Sequence, residues 1–236
     1  MIDFHSHILP GVDDGSSSVE ESLKLLSLLS EQGVDTVVAT PHFYPDRMSV
    51  EDFLKRREAA YKKLCECDLT GLPQIILGAE VKFYDSISRL GELELLCAGD
   101  SKTLLLEMPF SRWSEMTLKE VAALSRSGRV TVVLAHIERY LSFQTPDVWE
   151  RILDSGVLTQ VNASFFCGYF KKRKALNMLA SGMINVIGSD CHNLTSRQPQ
   201  IGKASEVIRK HFGPECLDYI SEFTRELLCV SNKKVN

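Results

Sequence analysis

Two histidines one residue apart, His5 and His7, sit in the first apolar stretch of this 236-residue sequence, and Asp13 and Asp14 follow on a turn just before Gly15. Strands favour β-branched and aromatic residues, so imidazoles there need a reason beyond packing. Side chains two apart on a strand share a face, so the pair offers two ring nitrogens to one place. A second such pair, Asp190 and His192, follows the last apolar run. Between the pairs, His42, Glu80, Glu107 and His136 each stand at or just past the end of an apolar run. Mixed imidazole and carboxylate suits divalent manganese, iron or zinc, whereas thiolates would mark a softer site. Eight such groups plus an aspartate of the turn exceed the roughly four to six positions of one ion. Two or three ions sharing carboxylates fit better, and without cations so many buried acids would repel one another.

Each residue alone has an ordinary reading. Asp13 and Asp14 suit a turn, a glutamate suits a helix cap or a lysine, and a single histidine suits a hydrogen-bonded rim. Their shared placement is what points to metal. Five of the six histidines belong to the set, and only His211, late in a predicted helix, stands apart.

The elements that must position them are legible as apolar runs over 1–7, 34–40, 74–80, 102–107, 130–136, 157–163 and 184–190, with amphipathic stretches between. Ser18 and Glu21 form a capping box ahead of Leu23, Leu26 and Leu29, with Gly33 as the stop. Thr117 and Glu120 repeat the device before Gly128, and Ser49 caps a helix through Phe53, Leu54 and Leu64. Strand and helix alternating seven times implies parallel strands with crossover helices, an α/β sheet or barrel. In such folds the loops after the strands carry the site, and six of the seven runs end in imidazole or carboxylate. No linker or composition break interrupts the chain, so one domain over 1–236 is expected. The stretch 213–236 reads as one or two helices and a polar tail.

Lysine and arginine total 27 against 31 acids, a net charge of −4, which argues against a nucleic-acid surface. No apolar run approaches the ~18 residues of a membrane span, and the start lacks the pattern of a secretory signal. The seven cysteines show no framework and are expected to be reduced, mostly buried thiols of a cytoplasmic protein. Cys167 stands six residues before Arg173 with one intervening glycine, so the phosphate loop of cysteine-nucleophile phosphatases is absent. The run Lys171, Lys172, Arg173 and Lys174 is the only basic one, a solvated face unless it attracts an acidic peptide.

In order, His5-Ser-His7, Asp13-Asp-Gly, Thr40-Pro-His42, Gly78-Ala-Glu80, Leu104-Leu-Leu-Glu107, Ala135-His-Ile-Glu-Arg139 and Ser189-Asp-Cys-His192-Asn resemble the PHP (polymerase and histidinol phosphatase) superfamily. Within it they are most similar to the bacterial manganese-dependent protein-tyrosine phosphatases of capsule and exopolysaccharide operons. The resemblance runs from Met1 to about Ile208. It implies a distorted seven-stranded βα barrel of the TIM-like PHP type with a trinuclear site, holding Mn2+ or, alternatively, Fe2+ or Zn2+. It assigns His5, His7, Glu80 and Asp190 to one ion, Glu80, Glu107 and His136 to a second, and Asp14, His42 and His192 to a third. Arg139 and Arg197 would grip phosphate, which suits a planar guanidinium. The implied activity is hydrolysis of phosphotyrosine on a protein, the tail of a bacterial tyrosine kinase, with histidinol phosphate or another small phosphomonoester as the alternative. The chain departs from the subgroup at Ser164-Phe-Phe-Cys-Gly-Tyr169 and over 42–48, both expected at the substrate mouth.

Overall fold

A computed structural model describes residues 1–230. Its strands are β1 (Ile2–Ser6), β2 (Thr36–Ala39), β3 (His42–Phe43), β4 (Gln74–Leu77), β5 (Glu80–Lys82), β6 (Thr103–Glu107), β7 (Thr131–Leu134), β8 (Leu158–Asn162) and β9 (Val186–Gly188). Its helices are α1 (Val19–Glu31), α2 (Val50–Cys65), α3 (Glu115–Arg126), α4 (Pro146–Asp154), α5 (Ala163–Cys167), α6 (Lys172–Ala180), α7 (Ile201–Phe212) and α8 (Pro214–Leu227). Every strand pair is parallel. No helix of the described residues is long and apolar enough to cross a membrane.

The third expected run is broken in two, and a short strand, β3, follows beyond the end of the second. The second run stops at Thr40-Pro41, where proline has no N–H to give the ladder, and the third stops at Gly78-Ala79. β2 and β4 join a three-stranded sheet ordered β1-β2-β4, and β3 and β5 a six-stranded sheet ordered β3-β5-β6-β7-β8-β9. The hydrogen bonds therefore draw a curled parallel sheet in two ladders, not one continuous seven-stranded ladder. Single bonds cross the seams: Gly78 N donates to Ala39 O at 2.8 Å and Glu80 N to Pro41 O at 3.1 Å. At the far edge Asp190 N donates to His5 O at 2.7 Å and His7 N to Cys191 O at 2.9 Å.

The strands alternate between two apolar clusters. Val37, Leu104, Leu106, Val132, Leu134 and Ile187 pack outward with helix residues such as Leu25 and Val121. Val38, Leu105, Val133, Ala135 and Val186 pack inward with Ile2 and Phe4. Leu228, just past α8, closes that inner cluster, and Thr103 Oγ1 bonds Leu227 O at 2.8 Å. By the same parity, Glu107 continues the inward row of Leu105.

On β1 the parity conflicts, because Phe4 faces inward and His5 is its neighbour. The pairing with β2 slips between Asp3 and Ser6. The irregularity turns the strand and aims both histidines into the mouth, above the apolar plug.

Ser18 Oγ accepts from Glu21 N at 3.2 Å and Ser49 Oγ from Asp52 N at 3.1 Å, as the spacing requires. The cap expected at Thr117 lies one turn earlier. Ser114 caps α3 by accepting from Thr117 N at 3.1 Å, since it offers the same spacing three residues sooner. Of the seven free cysteines only Cys97 and Cys191 are buried, which corrects the expectation of mostly buried thiols. The stretch from 213 gives one helix, α8, and the rest of the polar tail, 231–236, lies outside the described residues.

Gly188 is where β9 presses on β1: a Cβ there would collide with His5 Cβ and stand 2.9 Å from His5 N. Gly188→Ala should cost about 2–3 kcal/mol in urea unfolding, whereas Gly91→Ala, with nothing within 4 Å, should stay near zero. Equal stabilities for the two variants would contradict this packing.

Candidate metal centre

All nine residues expected to hold metal meet at the mouth of the curled sheet. His5 Nε2 and His7 Nε2 stand 3.0 Å apart, with Glu80 Oε2 at 3.3 and 3.4 Å and Asp190 Oδ1 at 3.8 and 3.5 Å from them. Glu80 also lies 2.7 Å from His136 Nε2 and 2.9 Å from His42 Nδ1. Glu107 Oε1 is 3.6 Å from His136 Nε2. Asp14 Oδ1 lies 3.5 Å from His42 Nε2 and 3.6 Å from His192 Nε2. Eight of the nine are buried or nearly so, and Asp14 alone is exposed at the rim.

Ligand atoms within 4.8 Å of one another form three overlapping groups: His7, Asp14, His42 and His192; His5, His7 and Asp190; His42, Glu80 and Glu107. The partition implied by resemblance differs: it places His7 only with His5, Glu80 and Asp190, outside the Asp14 group, and separates His42 from Glu80. Eight of the nine expected residues fall in these groups, with His136 outside them against Glu80 at 2.7 Å, and His7 and His42 stand where groups meet.

A divalent cation fits this donor set. His42 Nδ1 and Glu80 Oε2 are close but off hydrogen-bond geometry, and both are buried without a hydrogen-bond partner, as is His192 Nε2. Buried polar atoms are normally paired, so unpaired lone pairs converging on one space suit a cation.

The outer nitrogen of each remaining ring is engaged. His7 Nδ1 donates to Asp13 Oδ2 at 2.7 Å, and Asp13 also accepts from His42 N and Gly15 N, each at 2.9 Å. His5 Nδ1 meets Gln160 Oε1 at 3.2 Å, and the same oxygen accepts from His136 N at 2.7 Å. His192 Nδ1 donates to Asp190 O at 3.0 Å, and His136 Nδ1 lies 3.2 Å from Tyr140 Oη. Each of these rings therefore presents Nε2 to the centre, which is how outer partners orient imidazole ligands.

Charge is shared tightly here. Burial opposes ionisation of Asp13, yet the His7 imidazole holds its carboxyl well below the usual range. Burial would lower His7, but Asp13 and Glu80 push it up to about 10. Burial works against Glu80 too, and the surrounding imidazoles of His5, His136 and His42 nonetheless keep it well below a normal glutamate. Glu107 is raised, by burial and by Glu80. Burial with the neighbouring His7 drives His192 down to about 3, and burial lowers His136.

The backbone is strained where it delivers two of these groups. His136 has φ of 33° and Asp190 of 52°, left-handed conformations that cost about 1 kcal/mol or more for a side-chain-bearing residue.

Arg139 and Arg197 converge beside the cluster. Both pair with Asp190, Arg139 through Oδ2 and Arg197 through Oδ1 at 2.7 Å. They line a cavity of about 160 Å³ with Asn162, Ser164, Asp190 and Gln198. The four cations at 171–174 are exposed and open α6. Burial raises the thiols of Cys167 and Cys97, the latter to about 12, which removes the thiolate a cysteine nucleophile needs.

Sequence reasoning missed the residues that orient the ligands. Asp3, buried in β1, accepts from Ser189 N at 2.6 Å and His5 N at 3.3 Å, and burial lifts it to about 6. Asp13 was legible only as a turn residue. Gln160 links His5 to Asn162 Oδ1 at 3.0 Å, and Asn162 Nδ2 donates to Asp190 Oδ2 at 2.8 Å. The available signal was a polar residue inside an apolar run, Asp3 in the first and Gln160 in the sixth.

Asp13→Asn keeps the shape but removes the charge that holds the His7 proton outward. Affinity for Mn2+, read by competition with a fluorescent chelator, should fall about 10–100-fold. Unchanged affinity would mean that Asp13 serves only the turn.

Comparison with known proteins agrees with this architecture. The family model for capsular polysaccharide synthesis, CpsB/CapC, matches residues 1–226. The tyrosine-protein phosphatase CpsB of Streptococcus pneumoniae is 34% identical over 229 residues, covering 90% of this chain and 91% of that protein. The tyrosine-protein phosphatase YwqE of Bacillus subtilis is 29% identical over 236 residues, covering 97% and 91%. A chain from the crystal structures of YwqE and CpsB, described as unique metal-dependent tyrosine phosphatases, shares the fold with a TM-score of 0.84 at 24% identity, covering 98% of this chain and 96% of that one. From sequence and fold together, this chain belongs to the CpsB/CapC family of capsular polysaccharide synthesis.

Proposed function

We propose that this chain is a metal-dependent protein-tyrosine phosphatase acting in the cytoplasm on a phosphoprotein of capsule or exopolysaccharide production, with the tail of a bacterial tyrosine kinase as substrate. The carrying observation is that Glu80 contacts four imidazoles in a buried cluster beside two arginines. The relatives named tyrosine-protein phosphatase support the substrate class, and seven free thiols support the compartment. We read the chain as one catalytic domain whose two ladders form a single interrupted seven-run barrel, with the bonds of Asp190 and His7 to the first and last runs in support.

In this reading His5, His7, Glu80 and Asp190 would hold one ion, Glu80, Glu107 and His136 a second, and Asp14, His42 and His192 a third, with manganese as the metal. When bound, divalent cations supply Lewis acidity and make water acidic enough to give hydroxide near neutral pH. The chain's own work is positioning. Arg139 and Arg197, which share Asp190, turn their remaining N–H groups to the phosphoryl oxygens and neutralise charge gathered in the transition state. Asp13, Gln160 and Tyr140 hold the imidazoles so that no reorganisation is needed during reaction. Tyrosine leaves as a phenolate whose conjugate acid has a pKa near ~10, so little protonation is required, and no general acid is assigned.

Purified, manganese-loaded protein should hydrolyse p-nitrophenyl phosphate and phosphotyrosyl peptides, lose this on chelation and regain it with Mn2+. Arg139→Ala and Arg197→Ala should each lower kcat/KM about 10²–10³-fold. An inert, metal-loaded protein defeats the proposal, and faster turnover of histidinol phosphate than of phosphopeptide would move the substrate to a small phosphomonoester.

A further inference from the structure

Phe110 is half exposed, at 49%, although it lies on a loop braced by several hydrogen bonds. The loop follows the end of β6, only three residues past Glu107. Met108 N donates to Tyr140 Oη at 3.0 Å, and Gln144 bridges Ser111 O at 2.8 Å and Trp113 N at 3.1 Å. Trp113 Nε1 donates back to Pro109 O at 3.1 Å. This bracing holds the backbone on both sides of Phe110, whose ring stacks on His136 with centroids 5.8 Å apart and planes at 19°. The Tyr140 ring adds a contact at 5.3 Å.

A second ring flanks the cluster. Tyr44 stacks on His42 at 5.1 Å and 28°, with the Arg47 guanidinium 4.6 Å and Lys82 Nζ 5.2 Å from its centroid. His136 and His42 both touch Glu80, so each aromatic ring leans on an imidazole at the heart of the site. Arg139 lies on the short turn that starts from His136, the imidazole on which Phe110 stacks.

We propose that Phe110 on His136, with Tyr44 on His42, forms a subsite for the aromatic ring of an aryl phosphate and selects phosphotyrosine over alkyl phosphomonoesters. The inference rests on the phosphatase reading above and names the residues that set its substrate class. A ring joined to phosphorus through one oxygen must sit just outside the cluster, where Phe110 presents a fixed apolar surface. Offset or edge stacking rewards an aryl group there, while a serine or threonine ester brings no ring to the surface. Holding the ring in advance also lowers the ordering cost of binding.

The test uses the manganese-loaded full chain with phenylphosphonate and methylphosphonate, which bind but are not hydrolysed. Wild type should bind the phenyl compound more tightly, Phe110→Ala should reduce that preference about tenfold, and Phe110→Trp should keep it. Phosphotyrosyl and phosphoseryl peptides of one sequence should show the same change in their kcat/KM ratio. Equal weakening of both phosphonates in Phe110→Ala, or a preference left intact, overturns the aryl subsite alone. If wild type neither binds a phosphonate nor turns over p-nitrophenyl phosphate, the phosphatase reading fails and the subsite falls with it.

Discussion

The structure is organised around a carboxylate that has no business being buried. Glu80 is essentially inaccessible and touches His5, His7, His42 and His136 at once. Taking an ion out of water costs on the order of several kcal/mol even after relaxation. Imidazoles repay this only when protonated, and protonated imidazoles would repel one another at these spacings. Divalent cations held by these residues would resolve the conflict, balancing Glu80, Glu107 and Asp190 together and leaving the rings neutral as ligands. The orphaned atoms of Glu80, His42 and His192 are the local sign of that demand.

The rest of the fold serves that centre by bringing strand ends together at fixed height. Inward residues alternate along each strand, apolar below and chemical above, as Leu105 and Glu107 do on β6. Where the alternation would aim the wrong side chain, the backbone deforms: the slip on β1, and the left-handed turns at His136 and Asp190. Gly15 and Gly188 allow the close approaches, since a Cβ at Gly15 would collide with His7 O and a Cβ at Gly188 with His5. Stability is spent at the mouth and recovered in the two apolar clusters beneath and outside it.

Much of the centre was legible in the sequence because residue type and strand-end position are local properties. His5, His7, Glu80, Glu107, His136, Asp190 and their partners declared themselves by standing where apolar runs end. The orienting partners were not legible, because their roles exist only across long separations: Gln160 to His5 spans 155 residues and Ser189 to Asp3 spans 186. The division of the third run and the strand after the second were hidden for a different reason. Apolar residues continue through Gly78-Ala79 even though the ladder does not, and His42-Phe43 is too short to show a period. The misplaced cap of α3 reflects two serine or threonine signals three residues apart, of which the earlier, Ser114, took the helix start.

The most direct test of the central claim is anomalous X-ray diffraction at the manganese edge from crystals grown with saturating Mn2+. The account requires anomalous peaks inside the cluster, at least one of them within bonding reach of Glu80 Oε2, with the His7–Asp13 contact retained. A cluster free of peaks, with Glu80 still pressed against the same four imidazoles, would show that protons alone balance its charge and would contradict the account.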